Sequence, residues 1–173
     1  ISQLISNGGK FSIPLLTPHQ TKNIDLPIDP YLLGVLIGDG CLRSLGLTIS
    51  SADDQIINQC RLILSRDFPE LELVKIDSSK YDYRIRYIDK VSGKSRLIQH
   101  LDQLGLLKKS YFKFIPETYF HSSVEQRYAL LQGLMDTDGT LGLGRRAAVS
   151  FSTVSQQLAN DVVNIIRSLG GKA

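Results

Sequence analysis

Two stretches of this chain close in the same way: YLLGVLIGDG, Tyr31 to Gly40, and YALLQGLMDTDG, Tyr128 to Gly139. Both read as apolar helices broken by glycine and ended by Asp-Gly. Each choice is unfavourable alone. An interior glycine costs a helix about 1 kcal/mol relative to alanine, and a carboxylate at the carboxyl end meets the negative pole of the macrodipole. Penalties taken together, and taken twice, call for a shared cause. Gly34 and Gly38 are four residues apart and share a helix face, and Gly133 and Thr137 repeat that spacing. Small residues there let two helices approach backbone to backbone. Parallel packing about a two-fold would then bring Asp39 and Asp138 together.

The repetition extends past the helices. Gly34, Asp39 and Gly40 recur 99 residues later as Gly133, Asp138 and Gly139, and ISSADDQIINQCRLIL from Ile49 aligns at an offset of 102 with FSTVSQQLANDVVNII from Phe151. The three added residues fall in the intervening hairpin, where insertions are tolerated. Residues 1–30, with Gly8, Gly9, Pro14, Pro18, Pro27 and Pro30, read as a lead-in linker holding one short strand around FSIPLL. The first subdomain is 31–123. It comprises the Asp39 helix, a hairpin turning at Ser44 to Gly46, and an amphipathic helix from Asp53 to Arg66 that buries Ile56, Ile57, Cys60, Ile63 and Leu64. The strands LELVKID and YDYRIRYID come next, then a helix near Lys94 to Leu104 and a polar stretch from Pro116 to Ser123. The second subdomain, 124–173, repeats only the helix, the hairpin and the next helix. Two similar α/β halves across a pseudo-two-fold axis are expected, about one and a half units by this count.

Composition narrows the classes. With 42% hydrophobic and 21% charged residues the chain is globular. No apolar run matches a membrane span and the amino end lacks signal-peptide features. Cys41 and Cys60 fit no Cys-x-x-Cys pattern and read as reduced, small apolar residues of a cytoplasmic, intracellular protein. His19, His100 and His121 are scattered, which speaks against a zinc site or a histidine-centred nuclease. The net charge of +3 permits an anionic partner. The first residue, Ile1 rather than Met, suggests a piece of a longer protein.

Two neighbouring carboxylates at helix ends repel each other, and a hard divalent cation relieves that repulsion. Mg²⁺ takes carboxylate, carbonyl and water oxygens and favours sites shared with substrate phosphates. Metal-assisted phosphodiester hydrolysis is the chemistry such a site suits, with the carbonyls of Gly38 and Thr137 as further oxygens. A lone Asp-Gly would be a turn, but two copies, each with an upstream glycine, are not. DTDGT lacks the later ligands of an EF-hand.

Strand alternation points to a nucleic-acid surface. Tyr83, Ile85 and Tyr87 share an inward face and Arg84 and Arg86 the outward one; Val74 and Ile76 are expected inward, with Lys75 outward. Leu47, Ile49, Val149 and Phe151 should face the core, and Thr48, Ser50, Ser150 and Ser152 the solvent. The outward set is basic or hydroxylic, suited to phosphates and base edges. Arg43, Ser44, Lys80, Tyr81, Arg145 and Arg146 are expected at the hairpin tips.

These motifs resemble those of the LAGLIDADG homing endonucleases. LQGLMDTDG, Leu131 to Gly139, matches the nonapeptide at six of nine positions, and LLGVLIGDG, Leu32 to Gly40, keeps its first Leu, its Gly and the final Asp-Gly, with Ile37 in place of the first Asp. The resemblance implies an α/β (α+β) fold of two pseudo-symmetric αββαββα halves packed through the paired helices, the second truncated here. It also implies a double-stranded DNA substrate cut across the minor groove, Mg²⁺ or another divalent cation, and Asp39 and Asp138 as metal ligands. KFIPE, Lys113 to Glu117, is similar to the Lys-x-Ile-Pro element of two-motif nucleases embedded in inteins, whose lysine enters the active site. An ammonium there would stabilise developing negative charge. The equivalent lysine for the second copy would fall near position 212, outside this sequence. SIPLL…LPIDPYLLG resembles the passage from an intein's splicing domain into its nuclease, although the chain shows no splicing residues. A host protein around the chain, and a monomer with pseudo-two-fold symmetry when complete, are thereby implied. The rival readings are a non-catalytic DNA- or RNA-binding module, such as a maturase or regulator, and an inert insert.

Overall fold

The computed structural model describes residues 16–43, 46–89, 93–142 and 148–173. Helix α1 (Pro30–Gly38) starts on a proline and is capped by Asp29, whose carboxylate accepts from Tyr31 N at 2.9 Å and Leu32 N at 3.3 Å. Every residue from Tyr31 to Ile37 is buried, so α1 is the axis of the core rather than a surface helix. Then come β1 (Gly40–Arg43), β2 (Gly46–Ser50), α2 (Asp54–Asp67), β3 (Leu71–Lys75), β4 (Asp82–Tyr87) and α3 (Arg96–Gln103). A 3₁₀ turn (Ser110–Phe112) and the short α4 (Glu117–Phe120) lead to α5 (Val124–Asp138), β5 (Gly139–Gly142), β6 (Ala148–Phe151) and α6 (Gln156–Ser168). The fold is mixed α+β, as expected. An antiparallel sheet of order β1-β2-β4-β3 serves the first half and the pair β5-β6 the second.

Helices α1 and α5 form the seam. A Cβ on Gly34 would overlap the Leu130 carbonyl oxygen and stand 3.0 Å from Gly133 Cα, while one on Gly133 would stand 3.1 Å from Gly34 Cα. One turn on, Gly38 meets Thr137, so the helices run parallel and carry both aspartates to the same end. The buried residues of α2 are the five read from the sequence, and α3 adds Leu97 and Leu101.

Two expectations need correction. In β3 the buried residues are Leu71 and Leu73, and Lys75 lies opposite Tyr83 and Leu73 opposite Ile85. Lys75 therefore shares the inner face, its ammonium 5.7 Å from the Tyr83 ring centroid, and Val74 lies outward beside Arg84. Apolar residues occupy both phases of LELVKI, so alternation leaves the register open. In the second hairpin Val149 is 68% exposed, whereas its counterpart Leu47 is 1% exposed. Among the described residues β5 and β6 have no neighbours like β4 and β3. Phe151 alone keeps partial contact with the core.

The expected strand FSIPLL lies, except for Leu16, outside the described residues. The segment from His19 to Ile28 straps the second half. Gln126 donates to Ile24 O at 2.7 Å and accepts from Ile24 N at 3.2 Å, and Tyr119 Oη donates to Ile28 O at 2.7 Å. Arg127 is fully buried and donates to Ser122 O (3.1 Å), Ser168 O (3.1 Å), Ser168 Oγ (2.6 Å) and His19 O. Both cysteines are free. No helix among the described residues is long and apolar enough to cross a membrane.

Candidate active site and DNA interface

The site is built where α1 and α5 end. The Asp39 N–H closes α1 on Val35 O at 3.1 Å, and β1 begins at the next residue. A Cβ on Gly40 would overlap the Leu36 carbonyl, and one on Gly139 the Met135 carbonyl. Gly139 has φ −82° and ψ 148°, backbone open to any residue, so this glycine serves close passage and not a left-handed cap. Asp-Gly is thus the steric signature of a strand leaving a helix without a loop.

Partial loss of solvent at the helix ends pushes the carboxyls of Asp39 and Asp138 up, although Asp39 stays exposed and Asp138 is only partly buried. Asp39 pushes Asp138 further up, and the nearby Lys113 ammonium pulls both down. Lys113 is itself buried, which lowers its pKa against the two carboxylates. Its Nζ donates to Gly38 O at 2.8 Å and Gly40 O at 3.0 Å, the carbonyls on either side of Asp39.

The second half seats this first-half lysine. Ser155, the cap of α6, accepts from Leu158 N at 3.2 Å and donates through Oγ to Lys113 O at 2.6 Å. Ile115 N donates to Asp161 Oδ2 at 2.9 Å, and Gln157 Nε2 holds Asp161 Oδ1 at 2.8 Å. Sequence reasoning singled out neither Ser155 nor Asp161. A signal existed for the second: Asp161 stands in the stripe Leu158, Val162, Ile165, an acid on a buried face.

Two clefts of about 370 Å³ each flank the aspartates. One is lined by Ile37, Gly38, Ser110, Lys113, Asp138 and Ser152. The other is lined by Asp136, Thr137, Asp39, Ser50, Asp53 and Tyr81. Ile37 and Asp136, Gly38 and Thr137, Asp138 and Asp39, and Ser152 and Ser50 are counterparts in the repeat. The pseudo-symmetry is therefore structural, and it breaks at Lys113 on one side and Asp136 on the other. Asp136 Oδ2 accepts from Tyr31 Oη at 2.9 Å, and burial together with this bond pushes that phenol's pKa up. No group of three or more His, Cys, Asp or Glu residues suited to a metal occurs among the described residues. An ion between Asp39 and Asp138 would fill its shell with backbone carbonyls, water and phosphate, as Mg²⁺ does.

Arg84 and Arg86 are exposed on the outer sheet face as expected, Arg84 opposite Thr48 and Arg86 paired with Glu72 at 2.9 Å. The Ser50 hydroxyl donates to Asp82. Lys80 and Tyr81 do not form a distal tip. Ile49 faces both Gly40 and Tyr83 across the sheet, and Ser51 N donates to Tyr81 O at 2.9 Å. The β3–β4 turn thus lies at the Asp39 end, and Tyr81 lines a cleft. Ser150 and Ser152 are exposed. Ser44, Arg145 and Arg146 lie outside the described residues, and Arg43 closes β1.

Residues 125–173, spanning the second motif, the β5–β6 hairpin and α6, match the model of the LAGLIDADG-like domain. These residues are thus similar to the LAGLIDADG-like domain, as the resemblance read from the motifs implies. Over 86% of its length it is 34% identical to the replicative DNA helicase DnaB of Mycobacterium intracellulare, and over 91% it is 27% identical to that of a Nostoc species. It is 28% identical over 80% of its length to the DnaB of a Synechocystis species. It covers 21%, 19% and 17% of those proteins, about a fifth of each.

Proposed function

We propose that this chain is the nuclease part of an intein, a homing endonuclease that hydrolyses duplex DNA at a specific site. The observation that carries the reading is the convergence of Asp39, Asp138 and Lys113 at the ends of two glycine-packed helices. An exposed Asp39 and a partly buried Asp138, both of raised pKa, beside a single ammonium suit a divalent cation and a phosphate. The cation would be held by Asp39 and Asp138, with the carbonyls of Gly38 and Thr137 at hand, and when bound it activates water and neutralises developing charge. Lys113, already on the Gly38 carbonyl, stabilises charge on the reacting phosphate. The face bearing Thr48, Arg84 and Arg86 follows the DNA backbone, along with Arg43, Ser44, Lys80, Tyr81, Arg145, Arg146, Ser150 and Ser152. Lys75, on the inner face, contacts a phosphate only at the sheet's edge. A length of about a fifth of each DnaB relative fits an insert within a host of that kind.

The test is a plasmid carrying the uninterrupted insertion junction, incubated with the chain and Mg²⁺. Wild type cuts it. Asp138→Asn abolishes cutting, and Lys113→Met, which keeps the apolar stem, slows it about 100-fold or more; both keep their affinity for the duplex within a few-fold. One observation favours a second reading: among the described residues no lysine lines the Asp39 cleft. Tight, salt-sensitive binding without cleavage in Mg²⁺ or Mn²⁺ would favour the maturase or regulator.

A further inference from the structure

The loop that delivers Lys113 has an outer side that this reading leaves unused. Residues 108–112, KKSYF, are exposed as a block immediately before the buried Lys113. Tyr111 is 69% and Phe112 65% exposed. Aromatic side chains bury about 150–250 Å² each when covered, so two adjacent rings left in water mark a surface awaiting an occupant. Their mount is firm. Phe112 N donates to Lys109 O at 2.9 Å and Lys113 N to Ser110 O at 3.3 Å, closing a 3₁₀ turn. The residues just after it are tied to α6 by Ser155 and Asp161.

Position and charge identify the occupant. Ser110, at the start of the turn, lines the cleft of Lys113 and Asp138, and the exposed Val154 lines it too. The turn that bears the rings thus reaches that cleft through Ser110. Lys108 and Lys109 precede them in the chain, exposed and positively charged, the Lys108 ammonium 5.4 Å from the Phe114 ring centroid. An apolar pair preceded by two cations suits a polyanion that offers flat rings and sugar edges between its phosphates.

Resting on the reading of the chain as a duplex-DNA binder, we infer that Tyr111 and Phe112 form an apolar wedge. The wedge presses between base pairs beside the phosphate lodged at Lys113 and Asp138, with Lys108 and Lys109 on adjoining phosphates. Side chains of this kind partly unstack one base step and bend the duplex.

The probe is a fluorescein-labelled duplex spanning the insertion junction, with 2-aminopurine placed in turn at steps around its centre. Affinity is read over a sodium chloride series, and melting temperatures confirm that exposed-site variants remain folded. The Tyr111→Ala/Phe112→Ala variant should bind about 10- to 100-fold more weakly at every salt concentration with an unchanged salt slope. Wild type should brighten 2-aminopurine at one step, and the ring variant should not. Lys108→Ala/Lys109→Ala should instead flatten the slope of log affinity against log salt by about 1.8. If wild type binds with a steep salt slope and the ring variant binds and brightens the probe equally, the wedge is overturned and the nuclease reading stands. If wild type shows no salt-dependent duplex binding, both fall.

Discussion

At the scale of single residues, the aspartates work against the fold they sit in. Each carboxyl has a folded-state pKa above its unfolded value. Such groups favour folding only while protonated, and the benefit is lost as pH rises through the raised pKa. At neutral pH, without metal, both are a liability. Asp138→Asn should therefore raise the melting temperature of the metal-free protein at pH 7. That gain should shrink as the pH falls into the ordinary carboxylate range, where the wild-type side chain is also neutral. Thermal melts across this range decide it, and an unchanged or lower melting temperature at pH 7 would show that Asp138 makes a stabilising contact of its own. Lys113 leans the same way, since burial lowers its pKa despite two carboxylates nearby.

At the scale of elements, propensity and packing oppose each other most clearly in α1. On propensity alone Gly34→Ala gains about 1 kcal/mol. Its new Cβ would land on the Leu130 carbonyl oxygen, against backbone that cannot swing aside. Overpacking of this sort costs about 1–3 kcal/mol, so urea denaturation should find the variant less stable than wild type. Arg127 carries a comparable weight at the base of α5, where carbonyls rather than a carboxylate hold its guanidinium. Arg127→Leu leaves those carbonyls unpaired and should lose about 2–4 kcal/mol, with faster proteolysis near His19 as the second readout. Helices α1, α2, α3, α5 and α6 were legible because each shows a glycine-spaced or striped apolar pattern. Helix α4 was not, since its one turn inside a polar stretch rests on a single tyrosine bonded to Ile28. The phase of β3 was ambiguous because apolar residues filled both faces. Asp39 and Asp138 could be named from the spacing of the repeat, and Lys113 from the resemblance of KFIPE to the Lys-x-Ile-Pro element. Ser155 and Asp161 act on a segment some forty residues earlier in the chain, a relation that only folding reveals.

At the scale of the whole molecule, two clefts built by repetition have diverged. One pairs Asp138 with Lys113, while the other pairs Asp39 with Asp136 and Tyr81. A nuclease with unlike halves should cut the two strands at different rates. Supercoiled plasmid should pass through an accumulating open-circular form before it becomes linear, and direct conversion to linear product would contradict that order. The interlock between halves has a further consequence. Because α6 holds the backbone at Lys113 and Ile115, a nascent or clipped polypeptide that stops short of Ser155 possesses the Lys113 amine without the anchors that aim it. On the nuclease reading, competence to damage a chromosome would then wait until that helix has docked, a safeguard written into the order of synthesis.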